Sequence, residues 1–437
     1  MSTPARIGLG LLAVAVVFAV LGAGLFVTVN VLQALFDPTF VDPQRVVQCS
    51  ESSTCSVVWP IVFGLIFVFT IITGFAYTTL LERKFIAWFQ QRVGPNRVGP
   101  FGLLQPAADA VKLIFKEDII PDKADKPIYY LAPLLKTVPA LIVLAVVPLG
   151  PSILLPWVDG FYYVVPLGLA DVNVGVLWLL AITSIGTYGV TLAGWASNNK
   201  YAMLGGLRAS AQMISYELSL GLAMAVPVMI VGSMSLGAII EAQKYIHNWF
   251  VFQNPLAAGI LILTLFAEVS RAPFDLVEAE QELVGGFHTE YSSIRFALFF
   301  LAEFMNTITM SALFVTLFLG GPAGPAPVGP GWLWGMVWFF LKLFVFLFMF
   351  VWFRATLPRL RYDQLMDLGW KLLIPLSLGW FLLLAVIDVA GDQNWNPFVV
   401  VAGVAAGFLV GAGLLRLAVR AGHARRLSGE DAVGEPV

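Results

Sequence analysis

Apolar residues in this chain come in long runs instead of alternating. Ten runs, at about 7–36, 57–81, 128–149, 173–195, 209–232, 255–269, 295–320, 332–355, 371–390 and 397–420, are candidates to cross a bilayer, since a crossing takes roughly 20 residues. The pattern predicts an all-α polytopic membrane protein with about ten transmembrane helices. The first run is too long for the apolar core of a signal peptide and predicts an uncleaved anchor. After the second run, Leu103, Leu104, Ala107, Ala108, Val111, Ile114 and Phe115 fall at helical spacing, with Asp109, Lys112 and Lys116 on other faces. This predicts an amphipathic helix suited to a membrane surface or a partner protein.

Lys and Arg set the expected topology. With the N-terminus inside, the inside receives Arg6, the segment 83–126, Lys200, Arg208, Arg271, Arg295, Arg354, Arg359, Arg361, Lys371 and the basic tail at 416–426. The outside receives Arg45 and Lys244. That asymmetry predicts two cytoplasmic termini. The outer segment 320–331 reads as a Pro/Gly connector. Cys49 and Cys55 lie on the oxidising side, where a small disulfide loop and two free thiols are both open.

Composition narrows the function. The chain is 59% hydrophobic and 12% charged, with a mean hydropathy of +0.85, whereas soluble domains carry about 25% charged residues. Its net charge of −2 and the lack of a basic tract give no sign of nucleic acid as a partner. Three histidines in or beside polar segments offer no facing pair for a membrane haem, and two cysteines cannot hold an iron–sulfur cluster. The chain is expected to bind no metal or flavin, with any redox centres carried by other subunits.

Candidate chemistry gathers in the inside loop RAPFDLVEAEQELVGGFHTEYS at 271–292. Asp275, Glu278, Glu280, Glu282 and Glu290 lie in it, and Glu268 lies just upstream, against the basic residues Arg271 and Arg295. Crowded, buried carboxylates take up protons near working pH, as proton transfer requires. Asp275, Glu278 and Glu282 share one face if the segment is helical, and Glu280 points the other way. A solvated acidic face is the plainer explanation for such charges. The interleaved Phe274, Leu276, Val277, Leu283, Val284, Phe287 and Tyr291 argue against it.

Glu217, Glu268 and Glu303 fall within apolar runs, where each charge costs at least ~2.5 kcal/mol on insertion. They predict a carboxylate chain leading inward from the acidic loop. Lys136 and Lys342 are the intramembrane bases. Both are functional candidates whose role the sequence leaves open, the plainer alternatives being snorkelling for Lys136, near an inner span end, and a structural counter-ion for Lys342.

ERKFIAWFQQRVGPNRVGPFGLLQPAADAVKLIFKE, GWASNNKYAMLGGLRASAQMISYE, AEVSRAPFDLVEAEQELVGGFHTEYS, AEFMNTITMS and RATLPRLRYDQLMDLGWKLLIPLSL resemble the H subunit of respiratory complex I, whose mitochondrial counterpart is NADH dehydrogenase subunit 1. The resemblance runs over about 57–390. It implies an eight-helix core there, while the extra helix with its outer loop at 1–56 and the extra helix with its cytoplasmic tail at 391–437 lie outside the resemblance and are expected to serve in anchoring or subunit packing. It further implies a subunit of a proton-pumping NADH:quinone oxidoreductase, with quinone as substrate, in a bacterial plasma membrane.

By motif, Glu82, Arg83, Asp109, Arg271 and Arg354 would border the quinone chamber. Asp275, Glu278, Glu280, Glu282 and Glu290 would form an acidic loop that rearranges in turnover, and Glu217, Glu268 and Glu303 the buried path beyond it. The implied partners are the quinone-site and iron–sulfur subunits of the peripheral arm, the antiporter-like membrane subunits and lipid. Two other readings are the related membrane anchor of a hydrogenase or formate hydrogenlyase complex, and a stand-alone ion transporter.

Overall fold

The computed structural model describes residues 46–156, 161–277, 280–326 and 331–393, with isolated positions at 403, 406, 407 and 413. The expected span at 7–36 and nearly all of that at 397–420 lie outside the described residues, as do Arg45, Glu278 and the side chain of Glu280. The chain falls into two units, Met1–Leu373 and Ile374–Val437.

The eight middle spans are helical. They are α1 (Ser53–Phe89), α3 (Lys126–Val143), α4 (Gly175–Ala196), α5 (Lys200–Val231), α6 (Pro255–Glu268), α7 (Ser293–Phe318), α8 (Gly331–Thr356) and the stretch Tyr362–Asp392. The amphipathic helix expected over 103–115 is α2, Gln105–Phe115, preceded by a 3-10 turn at Pro100–Gly102. Proline stands in the first turn of α2, α3 and α6, where its missing N–H has no helical partner to lose. Asn199 caps α5 by accepting from the Tyr201 amide at 2.9 Å, and Gly232 ends it in the left-handed region at φ 71°.

Two helix lengths matter for the site. The 37 residues of α1 span about 55 Å at 1.5 Å per residue, well beyond the roughly 30 Å of hydrocarbon. Its last turns, with Glu82, Arg83 and Lys84, therefore reach the polar edge. The 14 residues of α6 span only about 21 Å, and the helix ends on Glu268. That carboxylate accordingly stops inside the bundle.

In the first unit α3 packs on α4, α4 on α5, α5 on α6, and α7 on α3. Small residues let the backbones close up, which is how helices associate in lipid without a hydrophobic drive between them. A Cβ on Gly189 of α4 would come within 2.7 Å of the Lys136 amide nitrogen, and one on Gly194 within 2.6 Å of the Ala202 carbonyl. Helix α7 is central, with 72% of its apolar window buried against 22% for α1.

One end of the bundle carries a three-stranded sheet that the long apolar runs concealed. Strands β1 (Val46–Gln48), β2 (Gly150–Pro156) and β3 (Tyr162–Leu167) lie in the order β1-β3-β2, with β1 parallel and β2 antiparallel to β3. The Cys49–Cys55 disulfide pins β1 to the start of α1 and packs on Tyr163 and Val165, which closes the choice left open by the sequence.

The connections at the other end gather together. The Asp125 amide donates to the Ala196 carbonyl at 3.1 Å, the Leu360 amide to the Pro273 carbonyl at 3.1 Å, and the Ile119 amide to Ser292 Oγ at 2.8 Å. In the second unit, α9 (Ile374–Asp392) is a single apolar helix.

Candidate functional site

Beyond Glu268 the backbone turns through Ser270, at φ 56°, and sends Arg271 back among the helices. Its guanidinium meets acids from two of them. Nη1 lies 3.3 Å from Glu82 Oε1 on α1, and Nη2 lies 2.8 Å from Glu303 Oε1 on α7. Nη2 makes no hydrogen bond of good angle, so the contact with Glu303 is chiefly Coulombic. The guanidinium also stacks 4.4 Å from the centre of the Phe304 ring. Arg354 of α8 reaches the same Glu82 carboxylate. Two bases and two acids thus compensate one another where lone charges would be expensive. Glu82, Arg271, Phe304 and Arg354 line a cavity of about 20 Å³, room for about one water.

A second polar cluster lies next to the first. Lys136, Glu268, Glu303 and Asn306 line a cavity of about 30 Å³, closed by Met213 and Phe299. A neighbouring space of about 20 Å³ is lined by Lys136, Thr183, Gly186, Glu268 and Asn306. Glu268 Oε2 is buried and makes no hydrogen bond among the described residues. Glu268 lies within electrostatic reach of Lys136 and Glu217, and Glu217 accepts a hydrogen bond from Ser184 Oγ of α4. The three intramembrane acids expected to form a chain are therefore neighbours in space. Lys136 does not snorkel. It turns into the bundle and passes beside Gly186 of α4.

The loop acids do not share one helical face. Among the described residues of the loop, Glu280–Leu283 is α-helical and Gly286–His288 a 3-10 turn, whereas Asp275–Val277 is not helical. Gln212 Nε2 donates to the Ala267 and Phe274 carbonyls at 2.9 and 3.0 Å, which holds the loop in a non-helical path. Phe274, Leu276 and Val277 are buried along that path. The acids accordingly find separate partners. Asp275 stands 3.9 Å from Arg359, Glu282 stands 2.8 Å from Arg208, and Glu290 accepts from Asn199 Nδ2 at 2.6 Å. Val284, a β-branched residue, is held at φ 65°, a strained conformation.

Arg83 and Asp109 pair with each other at 2.8 Å, joining α1 to α2. They lie on an exposed face, apart from the Arg271 cluster. Lys342 donates to the Leu319, Gly321 and Ala323 carbonyls at 2.7, 2.9 and 2.7 Å, and so caps the end of α7.

An aromatic clamp beyond the acidic loop went unnoticed in the sequence. Tyr129 and Tyr291 stack with centroids 4.2 Å apart, and the Tyr129 hydroxyl donates to the Glu290 carbonyl at 2.7 Å. Arg295 lies 4.2 Å over the Tyr130 ring and pairs with Asp118 at 2.8 Å. Burial pushes the Tyr291 phenol above its ordinary range. The tyrosine pair at 129–130 beside a span end was the one available signal. Among the described residues, no group of three or more His, Cys, Asp or Glu could hold a metal ion.

The family model described as NADH dehydrogenase matches residues 62–385. The chain is 52% identical over 327 residues to an H subunit of the NADH-quinone oxidoreductase of Geobacter metallireducens, covering 74% of this chain and 95% of the relative. It is 51% identical over 326 residues to an H subunit of the same enzyme from Geobacter sulfurreducens, covering 73% and 95%. With the H subunit from Streptomyces avermitilis the identity is 44% over 359 residues, covering 80% and 78%. On this match, carried across nearly the whole length of two relatives, the chain belongs to the NADH dehydrogenase family, among the H subunits of NADH-quinone oxidoreductase.

Proposed function

We propose that this chain forms one wall of the quinone chamber of NADH-quinone oxidoreductase and couples quinone reduction to proton translocation. The observation that carries the reading is the row of charged groups Glu82, Arg271, Glu303, Lys136, Glu268 and Glu217, which leads from the end of α1 into the apolar core. Ionisable groups inside spans are expensive and mark proton or ion paths.

In this reading Glu82, Arg83, Asp109, Arg271 and Arg354 border the chamber. The cavity of about 20 Å³ beside Arg271 is far below the ~300 Å³ or more of a small-molecule site. The quinone ring is therefore enclosed only when subunits of the peripheral arm cover this end. Asp275, Glu278, Glu280, Glu282 and Glu290 respond to the charge change at the ring. Arg271, held between Glu82 and Glu303, passes that response to the buried acids. A proton then moves along Glu303, Glu268 and Glu217 towards the antiporter-like subunits, the three carboxyls titrating as a coupled group.

The complex sits in a bacterial plasma membrane, surrounded by lipid, with both termini of this chain cytoplasmic. The flavin and iron–sulfur centres belong to its partners. The relatives' names as quinone oxidoreductases favour this reading over a hydrogenase anchor.

The test is NADH-driven proton translocation by the purified complex in proteoliposomes. Glu217→Gln and Glu268→Gln should each abolish or strongly reduce pumping. Wild-type pumping in both variants would sink the proposal.

A further inference from the structure

Lys136 is a second base near Glu303, whose carboxylate Arg271 already meets from the other cluster. Lys136 packs against α4. A Cβ on Gly189 would meet the Lys136 amide nitrogen at 2.7 Å, so the two backbones touch at this level. One turn away, a Cβ on Gly186 would lie 3.8 Å from Lys136 Cδ and 3.9 Å from Nζ. Gly189 alone lets the backbones close, and at Gly186 the lysine lies within ordinary contact distance of where a Cβ would stand. Lys136 lines two adjoining cavities of about 30 and 20 Å³, both of which also touch Glu268 and Asn306.

The charged groups facing Lys136 come from two helices, Glu268 of α6 and Glu303 of α7. Glu217 of α5 lies one step further, next to Glu268. From α4 the cavities are lined by Val190, Thr183 and Gly186, none of them charged. Glu268 Oε2 is buried without a hydrogen bond among the described residues, so its negative charge depends on a nearby cation.

Resting on the carboxylate path proposed above, we infer that Lys136 is a positioning residue for proton transfer between Glu303 and Glu268. Its ammonium lines the same cavity as the two carboxyls and forms no direct ion pair with either among the described residues. When a proton leaves the O–H of one carboxyl and binds an oxygen of the other, the negative charge moves the opposite way and remains beside the same cation. No electron transfer is involved, and no uncompensated charge crosses the apolar core.

The experiment uses the whole complex in proteoliposomes and reads protons translocated per NADH oxidised. Lys136→Met should lower that ratio several-fold, and Lys136→Arg should restore most of it, which a merely structural role would not produce. A wild-type ratio in Lys136→Met overturns the inference. If Lys136→Met fails to assemble, the double variant Lys136→Met/Glu268→Gln is scored for assembly. Recovery supports the charge relationship, and continued failure overturns it. Glu268→Gln and Glu303→Gln are measured alongside. If they pump normally, the carboxylate path itself has failed. If they do not pump while Lys136→Met does, only the role of Lys136 has failed.

Discussion

Arg271 Nη2 and Glu303 Oε1 lie 2.8 Å apart, which ties the first residue of the acidic loop to the interior of α7. The same guanidinium reaches Glu82 at 3.3 Å, so one side chain joins the end of α1, the loop and the central helix.

Loss of that side chain leaves buried carboxylates without their cation. Arg271→Met should destabilise the protein by about 3–5 kcal/mol, the usual result of removing one partner from a buried ion pair. Arg271→Lys should recover only part of this, because an ammonium cannot present two separated donors to Glu82 and Glu303 as a planar fork does. Thermal unfolding of the purified complex is the measurement. An unchanged midpoint for Arg271→Met would show that the contacts contribute nothing.

Gln212 holds the start of the acidic loop through the Ala267 and Phe274 carbonyls. Gln212→Leu should remove one hydrogen bond from each carbonyl, which keeps its backbone donor from Ser270 or Leu276, at about 0.5–1.5 kcal/mol each. Amide exchange should then rise in the loop segment 270–277 before it rises in α5. Unchanged exchange there would mean that the loop is held by its buried apolar residues alone.

Lys342 has a different task from Lys136. It satisfies three carbonyls at the end of α7 and lies 4.2 Å from the centre of the Trp249 ring. Lys342→Met should lower thermal stability by about 1–3 kcal/mol through those carbonyls. Protons pumped per NADH should stay at the wild-type value in whatever complex assembles. A changed ratio at full stability would move Lys342 from the structural to the coupling group.

The disulfide reports on both stability and sidedness. Cys49 and Cys55 are six residues apart in sequence, and closing so short a loop contributes about 2 kcal/mol by chain entropy. Cys49→Ser/Cys55→Ser should lower the thermal midpoint accordingly. With the proposed orientation, a membrane-impermeant maleimide should label these thiols in intact spheroplasts only after an impermeant reductant has been added. Labelling that requires broken membranes would reverse the orientation.

The spans were legible because a helix in hydrocarbon must satisfy its backbone hydrogen bonds within itself, so a local run of apolar residues suffices to declare it. Glu217, Glu268 and Glu303 were legible for a related reason. A carboxylate inside an apolar run is costly wherever the chain later places it. The sheet was not legible, since β1 and β3 pair Val46 with Tyr162 across the three intervening helices α1, α2 and α3. The expected common face of Asp275 and Glu282 failed because Gln212, from another helix, holds the loop in a different path.

The sequence alone therefore determined the eight apolar helices of the described residues and which of them carry charge, both local consequences of solvation by hydrocarbon. Tertiary structure decided the partners. Glu82 meets Arg271 from 189 residues away and Arg354 from 272. Lys136 turns inward where Gly189 of the next helix lets the two backbones touch. Charge pairing and side-chain direction depend on what the facing helix presents, and no local pattern encodes that.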